Sequence, residues 1–218
     1  MMNFIRIMNG PSIGSLTSFA YDINEVLYGL SAAHVLLGEN NDADPYDIIR
    51  IRNIESNRWI NAGVLIKSVY SNGLNKASDF GTVDAGIFQL NDSFKNKIKS
   101  KLKTLTFSKY LEGNPNVMLG KTLYSYSPMQ EKKIRGKVVD IFYKTSDRYP
   151  RKFDLIIENL DNGILTRGGD SGIIWKDNRG KAVAMHIRGD KITNRFSYST
   201  FIDRVTRNLN IRLLEIKP

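Results

Sequence analysis

The feature that most constrains the fold of this chain is the recurrence, from end to end, of short alternating or β-branched apolar runs bounded by turn residues. The segments "SLTSFAY", "EVLYGLSA", "YDIIRIR", "WINAGVLIKSVY", "DAGIFQL", "KTLYSYS", "KIRGKVVDIFY", "FDLIIENL", "GIIW", "KAVAMHIR" and "RFSYST" all read this way. Closely spaced strands with turn signals between them are the pattern of an all-β chain. Helical patterning is scarce until "STFIDRVTRNLNIRLLEI", where Phe201, Ile202, Val205 and Leu209 fall at i, i+1, i+4 and i+8 with charges opposite. That spacing predicts an amphipathic closing α-helix over about residues 200–215, with Ser199 or Thr200 as its N-cap. The Lys-rich stretch "NDSFKNKIKSKLKTLTFSKYLEGNPN" ends in the breakers Gly113, Asn114 and Pro115 and reads as a crossover. It divides the chain into residues 1–105 and 106–218. Each half carries roughly five or six strands, enough to close a small barrel and hide its edges. No repeat of fixed period points to a solenoid.

Composition narrows the chemistry. With 41% apolar and 25% charged residues, the 218-residue chain is an ordinary globular one. No apolar run approaches the ~20 residues of a membrane helix, so no membrane association is expected. The start "MMNFIRIMNG" lacks the apolar core and cleavage site of a secretory signal. The chain therefore reads as cytoplasmic, with secretion of a processed form left open. The absence of cysteine removes disulfides, thiolate nucleophiles and Cys-based metal sites, and His34 and His186 alone are too few for a His-rich metal site. Any nucleophile is then an oxygen or a lysine, and neither metal nor organic cofactor is expected. The net charge of +10 suits acidic partners. Its basic residues are dispersed and carry no DNA or RNA module signature, which disfavours nucleic acid.

Three local signals each have an ordinary structural reading. In "LTRGGDSGIIW", Ser171 follows Asp170 and lies among glycines, as in a turn between strands. In "YGLSAAHVL", His34 follows a strand and small residues, where a packed histidine is the default. In "SDFGTVDAGIFQL", Asp84 heads an apolar run, the place of a strand-initiating aspartate, and Asp79 lies just upstream. Taken together they match what acyl transfer by a serine demands: a base, a carboxylate to orient it, and N–H donors for the oxyanion. His34, Asp84 and Ser171 fill the first roles. A tight glycine turn can aim the N–H groups of Gly169 and Ser171 at one point.

"SAAHVL", "DAGIF" and "GGDSGIIW" resemble the His, Asp and Ser motifs of the chymotrypsin-like (trypsin-like) serine proteases, in that family's order. The separations, 84 minus 34 or 50 residues and 171 minus 84 or 87 residues, fit two six-stranded antiparallel β-barrels, His and Asp on the first and Ser on the second. The resemblance runs from about residue 12 to the C-terminal helix and implies a serine endopeptidase with peptide or protein substrates. It favours Asp84 over Asp79, because Asp84 directly precedes the alanine and apolar residues of the motif. It also implies that Asp170 holds the oxyanion turn, usually by pairing with a buried cation. The missing disulfides and short first half point to a bacterial or viral type.

The resemblance places Leu165, six before the nucleophile, at the base of the P1 pocket, which disfavours a Lys or Arg preference. Thr166 and His186 fall at the offsets of glutamate-specific bacterial relatives and of viral proteases that take glutamine. An imidazole and a hydroxyl can both donate to a carboxylate or amide oxygen, and positive charge around them favours acidic residues. Ile187, Arg188 and Gly189 fall on the edge segment that pairs with extended substrate. Arg188 is equally readable as a solvated surface residue. "RIMNG" resembles a zymogen activation junction, with cleavage after Arg6 freeing Ile7 to pair with Asp170, while "NFIRIM" reads equally as a first strand. An intracellular protease also needs restraint, through narrow specificity, a regulatory partner or a trigger. Two rival readings stand beside this one: a catalytically silent protease-fold binding module with a basic partner surface, and a nucleic-acid-binding β-barrel.

Overall fold

The computed structural model describes residues 6–38, 48–53, 57–70, 83–102, 115–144, 152–190 and 192–214. The first half supplies β1 (Arg6–Asn9), β2 (Ser12–Ser15), β3 (Ser18–Asp22), β4 (Leu27–Ser31), β5 (Ile48–Asn53), β6 (Arg58–Tyr70) and β7 (Asp84–Leu90). A single-turn helix, α1 (Ala33–Leu36), follows β4. The second half supplies β8 (Thr122–Ser127), β9 (Lys132–Lys144), β10 (Lys152–Asn159), β11 (Ile174–Lys176), β12 (Ala182–Gly189) and β13 (Phe196–Phe201). Helix α3 (Ile202–Leu209) and a last strand, β14 (Ile211–Leu213), complete it.

The second set closes as expected, into a six-stranded barrel of order β10-β13-β12-β11-β8-β9. The first set does not close. It forms an eight-stranded curled sheet of order β14-β3-β4-β7-β6-β5-β1-β2. Two strands invisible to patterning account for the difference. One is the short polar "SIGS" of β2, paired with β1 through Ile7↔Gly14. The other is β14, which the sequence reading placed inside the closing helix.

That helix is shorter than residues 200–215. Asn210 takes a left-handed conformation at φ 57° and ends α3 after Leu209, its N–H turning back to Thr206 and Arg207 carbonyls. Ile211–Leu213 then pair antiparallel with β3, Leu213 opposite Ala20. Neither Ser199 nor Thr200 caps the helix. The N-cap is Phe201, whose N–H donates to Asp154 Oδ2 at 2.8 Å, a carboxylate from β10 that also accepts from Thr200 Oγ1 and Arg204 Nη1. A tertiary carboxylate thus fixes the residue at which the helix starts, with no side-chain cap on the helix itself.

The Lys-rich connection also holds a helix, α2 (Asp92–Leu102). Asn91 caps it by accepting the Phe94 N–H at 2.8 Å. Phe94, Ile98 and Leu102 recur at i, i+4 and i+8 and pack on the first sheet's core, leaving Lys97 and Lys99 exposed. Gly113 and Asn114 lie outside the described residues. No described helix is long and apolar enough to cross a membrane.

Three apolar clusters form among the described residues. One underlies the curled sheet, around Phe19, Leu36 and Phe88, and one fills the barrel, around Leu155, Trp175 and Phe201. The third joins the two. It packs Leu30 and Ile87 of the first sheet against Met185 of β12, Val205 and Leu209 of α3, and Leu213 of β14. The seam between the sheets is therefore continuous core, and the candidate site lies along it.

Candidate active site

β4 ends in buried Ser31, and Ala32 and Ala33 are fully buried, so α1 turns in a space that admits only small side chains. His34 is the one residue of α1 that is not buried. Asp84, at the head of β7, is 3% exposed and grips α1 at two points. Its Oδ1 accepts the His34 backbone N–H at 2.9 Å, and its Oδ2 accepts from His34 Nδ1 at 2.7 Å. A carboxylate can only accept, so the ring proton sits on Nδ1 and Nε2 is left as a free lone pair. Asp79 lies outside the described residues.

Ser171 occupies a turn that glycine makes possible. Gly169 (φ 96°) and Gly172 (φ 102°) take backbone conformations that L side chains rarely adopt. Space forbids a side chain as well: a Cβ on Gly172 would lie 2.4 Å from Ser15 O, and one on Gly169 2.7 Å from Met129 Sδ. The turn is closed by Asp170 N–H donating to Arg167 O and Ile173 N–H donating to Asp170 O. Among the described residues, no protein group accepts from the N–H of Gly169 or of Ser171. That is the condition an oxyanion hole requires.

Asp170 is fully buried and does hold this turn, but with neutral partners rather than an ion pair. Oδ2 accepts from Ser127 Oγ at 2.7 Å and Arg167 N–H at 2.8 Å, and Oδ1 from Met129 N–H at 3.2 Å. Burial pushes its carboxyl above the ordinary range, opposed by these bonds and by the positive field of Arg6. Arg6 itself donates to Pro128 O at 3.0 Å, on the β8–β9 turn that carries two of those donors. The Arg6–Ile7 bond lies within β1, and Ile7 is fully buried and paired with both Gly14 and Ile51. Of the two readings of this segment, the structure contains the first strand.

The curled sheet grips the same turn from the opposite side. Ser15 N–H donates to Ser171 O at 2.8 Å and Ser15 Oγ to Gly169 O at 2.9 Å, while Ser31 Oγ donates to Ser15 O at 2.8 Å. A Cβ on Gly14 would touch both the Val35 side chain and Ser171 O, so α1 and the serine turn meet across that glycine. Ser15, Ser127 and Met129 are the site residues that sequence reasoning missed. Each sits in a short polar stretch with no signal of its own.

The Ser171 hydroxyl donates to Ile187 O at 3.0 Å. No hydrogen bond joins it to His34 among the described residues, so the structure unites His34 with Asp84 and leaves the serine in a second orientation beside them. The remaining predicted residues line the adjoining wall. Leu165 is fully buried and belongs to the barrel core, its carbonyl held by Gln130 Nε2 at 3.1 Å. Thr166 is buried, and its hydroxyl lies 2.8 Å from where a Cβ on Gly189 would stand. Arg188 lies over the Tyr198 ring at 5.8 Å. His186 is 1% exposed; burial, with the nearby His34 charge adding to it, lowers its pKa to about 3.

No protein-family model and no curated protein sequence matches the chain. Solved structures do. A glutamic-acid-specific serine protease, described as using a histidine triad in substrate binding, aligns at a TM-score of 0.57 and 14% identity, covering 95% of this chain and 97% of its own. The Nocardiopsis protease NAPase aligns at 0.59 and 13% identity, covering 95% of each chain. Thermobifida fusca protease A aligns at 0.57 and 11% identity, again over 95% of each. Nearly full mutual coverage, with the His34, Asp84 and Ser171 motifs in order on a curled sheet and a closed barrel, gives this chain the fold of the chymotrypsin-like serine proteases of bacterial type.

Proposed function

We propose that the protein is a serine endopeptidase. His34 takes the Ser171 proton through Nε2 and later returns it to the leaving amine. Asp84 fixes the ring's tautomer and stabilises the imidazolium. The N–H groups of Gly169 and Ser171 meet the oxyanion. The observation that carries this reading is the two-point clasp of Asp84 on His34, which leaves Nε2 free at a seam shared with a glycine turn whose N–H groups have no acceptor. For Ser171 to react, its hydroxyl turns about χ1 from Ile187 O towards Nε2, and catalytic hydrogen bonds of this kind often form only when substrate is bound.

Substrate would pair with the edge formed by Ile187, Arg188 and Gly189, placing P1 beside Thr166 and His186. These donors support cleavage after Glu or Gln, with Arg188 and the net charge favouring acidic segments. The Ser171–Ile187 hydrogen bond favours one other reading, a silent binding module on the same fold. A serine-directed phosphonate separates the two. We expect an adduct on Ser171 and none on Ser171→Ala; an unlabelled but folded wild-type chain would favour the binding module.

A further inference from the structure

The basic residues are scattered along the sequence, yet the fold gathers several of them on one sheet face that the catalytic residues do not use. In "KKIRGKV", Lys133, Arg135 and Lys137 stand at i, i+2 and i+4. This segment lies in β9, so the three side chains leave from the same side of the strand, while Ile134 and Val138 enter the barrel core. The register with β8 sets Tyr126 opposite Lys133, Tyr124 opposite Arg135 and Thr122 opposite Lys137. Across the other edge of β8, Lys176 of β11 lies opposite Tyr124. Directly opposed residues share a face, so four cations and two tyrosines stand on one outer surface of the closed barrel.

This face meets solvent. Lys133, Arg135 and Lys137 are exposed, and Tyr124 is 45% exposed. Acidic neighbours lie along its β10 border and are already engaged. Asp161 accepts from Arg135 Nε at 2.7 Å, and Glu158, opposite Lys137, accepts from Arg195 at 2.8 Å. No carboxylate among the described residues pairs with Lys133 or Lys137.

The face also begins at the candidate active site. The turn that joins β8 to β9 brings Ser127 Oγ and Met129 N–H to Asp170, and Gln130 Nε2 to Leu165 O. Tyr126 and Lys133 are the first outward pair beyond it. Tyr124–Arg135 and Thr122–Lys137 follow at steps of two residues, roughly 7 Å each. A lane of positive charge therefore leads away from the turn that supports the nucleophile.

Such a lane fits an extended polypeptide. Side chains on one side of an extended chain recur at the same spacing of roughly 7 Å, so alternate Asp or Glu residues meet Lys133, Arg135 and Lys137 in register. A nucleic-acid strand carries a charge on every unit and has to set phosphates against Asp161 and Glu158 as well. We propose that the outer face of β8 and β9 docks an acidic, extended segment of the polypeptide substrate, outside the residues that occupy the cleavage site. This rests on the endopeptidase reading above.

Two measurements on the full chain test the proposal. The first needs no catalysis. A fluorescent peptide with the tail Glu-Thr-Glu-Thr-Glu should bind the Ser171→Ala protein, read by anisotropy. Lys133→Gln with Lys137→Gln should weaken that binding by ~10-fold, since each exposed ion pair contributes only a few-fold. Removing the same charge from α2, as Lys97→Gln with Lys99→Gln, should leave it within about twofold. Lys133→Glu with Lys137→Glu should reverse the choice, in favour of a Lys-Thr-Lys-Thr-Lys tail. The second measurement uses wild-type enzyme and a cleaved peptide joined by a Gly/Ser linker of about ten residues to the acidic tail or to Gln-Thr-Gln-Thr-Gln. The acidic tail should raise kcat/KM by ~10-fold through KM. That advantage should fade in ~1 M salt, where charges are screened beyond about 3 Å. An equal loss in the α2 variant, or no preference for the acidic tail, overturns the proposal. Tighter binding of a single-stranded oligouridylate than of the acidic tail at physiological salt also overturns it and makes the face a nucleic-acid surface. If the acidic tail binds as expected but no peptide is cleaved, the face still docks acidic polypeptide and the endopeptidase reading fails. If both tailed peptides are cleaved equally well, the endopeptidase reading stands and the docking face fails.

Discussion

At the residue scale, the site depends on single atoms whose neighbours dictate their chemistry. Asp84 is the clearest case, since one carboxylate both anchors the α1 backbone and sets the His34 tautomer. Asp84→Asn keeps the size but presents an amide N–H, which drives the ring proton onto Nε2 and removes the base. We expect turnover to fall by roughly 10⁴ with little change in far-UV circular dichroism, measured by steady-state hydrolysis of a cleaved peptide. Ser15 acts one step further away. Its hydroxyl fixes Gly169 through the carbonyl, and Ser15→Ala releases that turn without touching substrate. Its kcat should fall roughly tenfold with KM little changed, less than the loss of an oxyanion donor outright. A variant that changed KM alone would contradict this role. The His34, Asp84 and Ser171 motifs were legible in the sequence because each is local. Ser15 and Ser127 were not, because a serine in a short polar stretch looks the same whether it faces solvent or supports a buried site.

At the scale of elements, α3 shows how a helix can be secured from outside its own sequence. The N–H of its N-cap residue Phe201 finds Asp154 on β10, and Arg204 one turn on pairs with the same carboxylate. Asp154 is fully buried, so Asp154→Ala removes the acceptor shared by Arg204, Thr200 and the Phe201 N–H. A loss of about 3 kcal/mol or more is expected, read by urea denaturation. The apolar spacing of "STFIDRVTRNL" did locate this helix, but the carboxylate that anchors its start lies far away in the chain. "DAGIFQL" coincided with β7 to the residue, because a central strand buried on nearly every side chain leaves a run of apolar residues, here broken by the exposed Gln89. α2 was hidden for the opposite reason. Its lysines dominate the composition, while three residues, Phe94, Ile98 and Leu102, carry the packing.

For the whole molecule, the buried imidazole makes stability depend on pH. His186 resists protonation in the folded chain down to about 3, whereas in the unfolded chain it takes a proton near 6.5. The unfolded state therefore binds that proton first, and stability falls as pH drops from 6.5 towards 3, by at most about 1.4 kcal/mol per pH unit. Asp170 works in the other direction. Its raised pKa means that acid relieves a penalty borne by the folded, ionised form. His186 has the larger range, so the net effect is acid destabilisation. Melting temperatures at pH 7.5 and pH 4.5 should differ more for the wild type than for His186→Gln; an equal difference in both would remove His186 as the cause. The overall architecture was legible only in part, since a closed first barrel was expected where β2 and β14 build an open, curled sheet.

The pairing of Leu213 with Ala20 also sets an order of events during synthesis. The first sheet holds His34 and Asp84, yet its β3 edge stays uncovered until Leu213 has left the ribosome. Ser171 is by then already made, so Ser171, His34, Asp84 and the strand that completes the first sheet become available together. A nascent chain carrying only β1–β7 has an unpaired β3 edge and lacks Ser171.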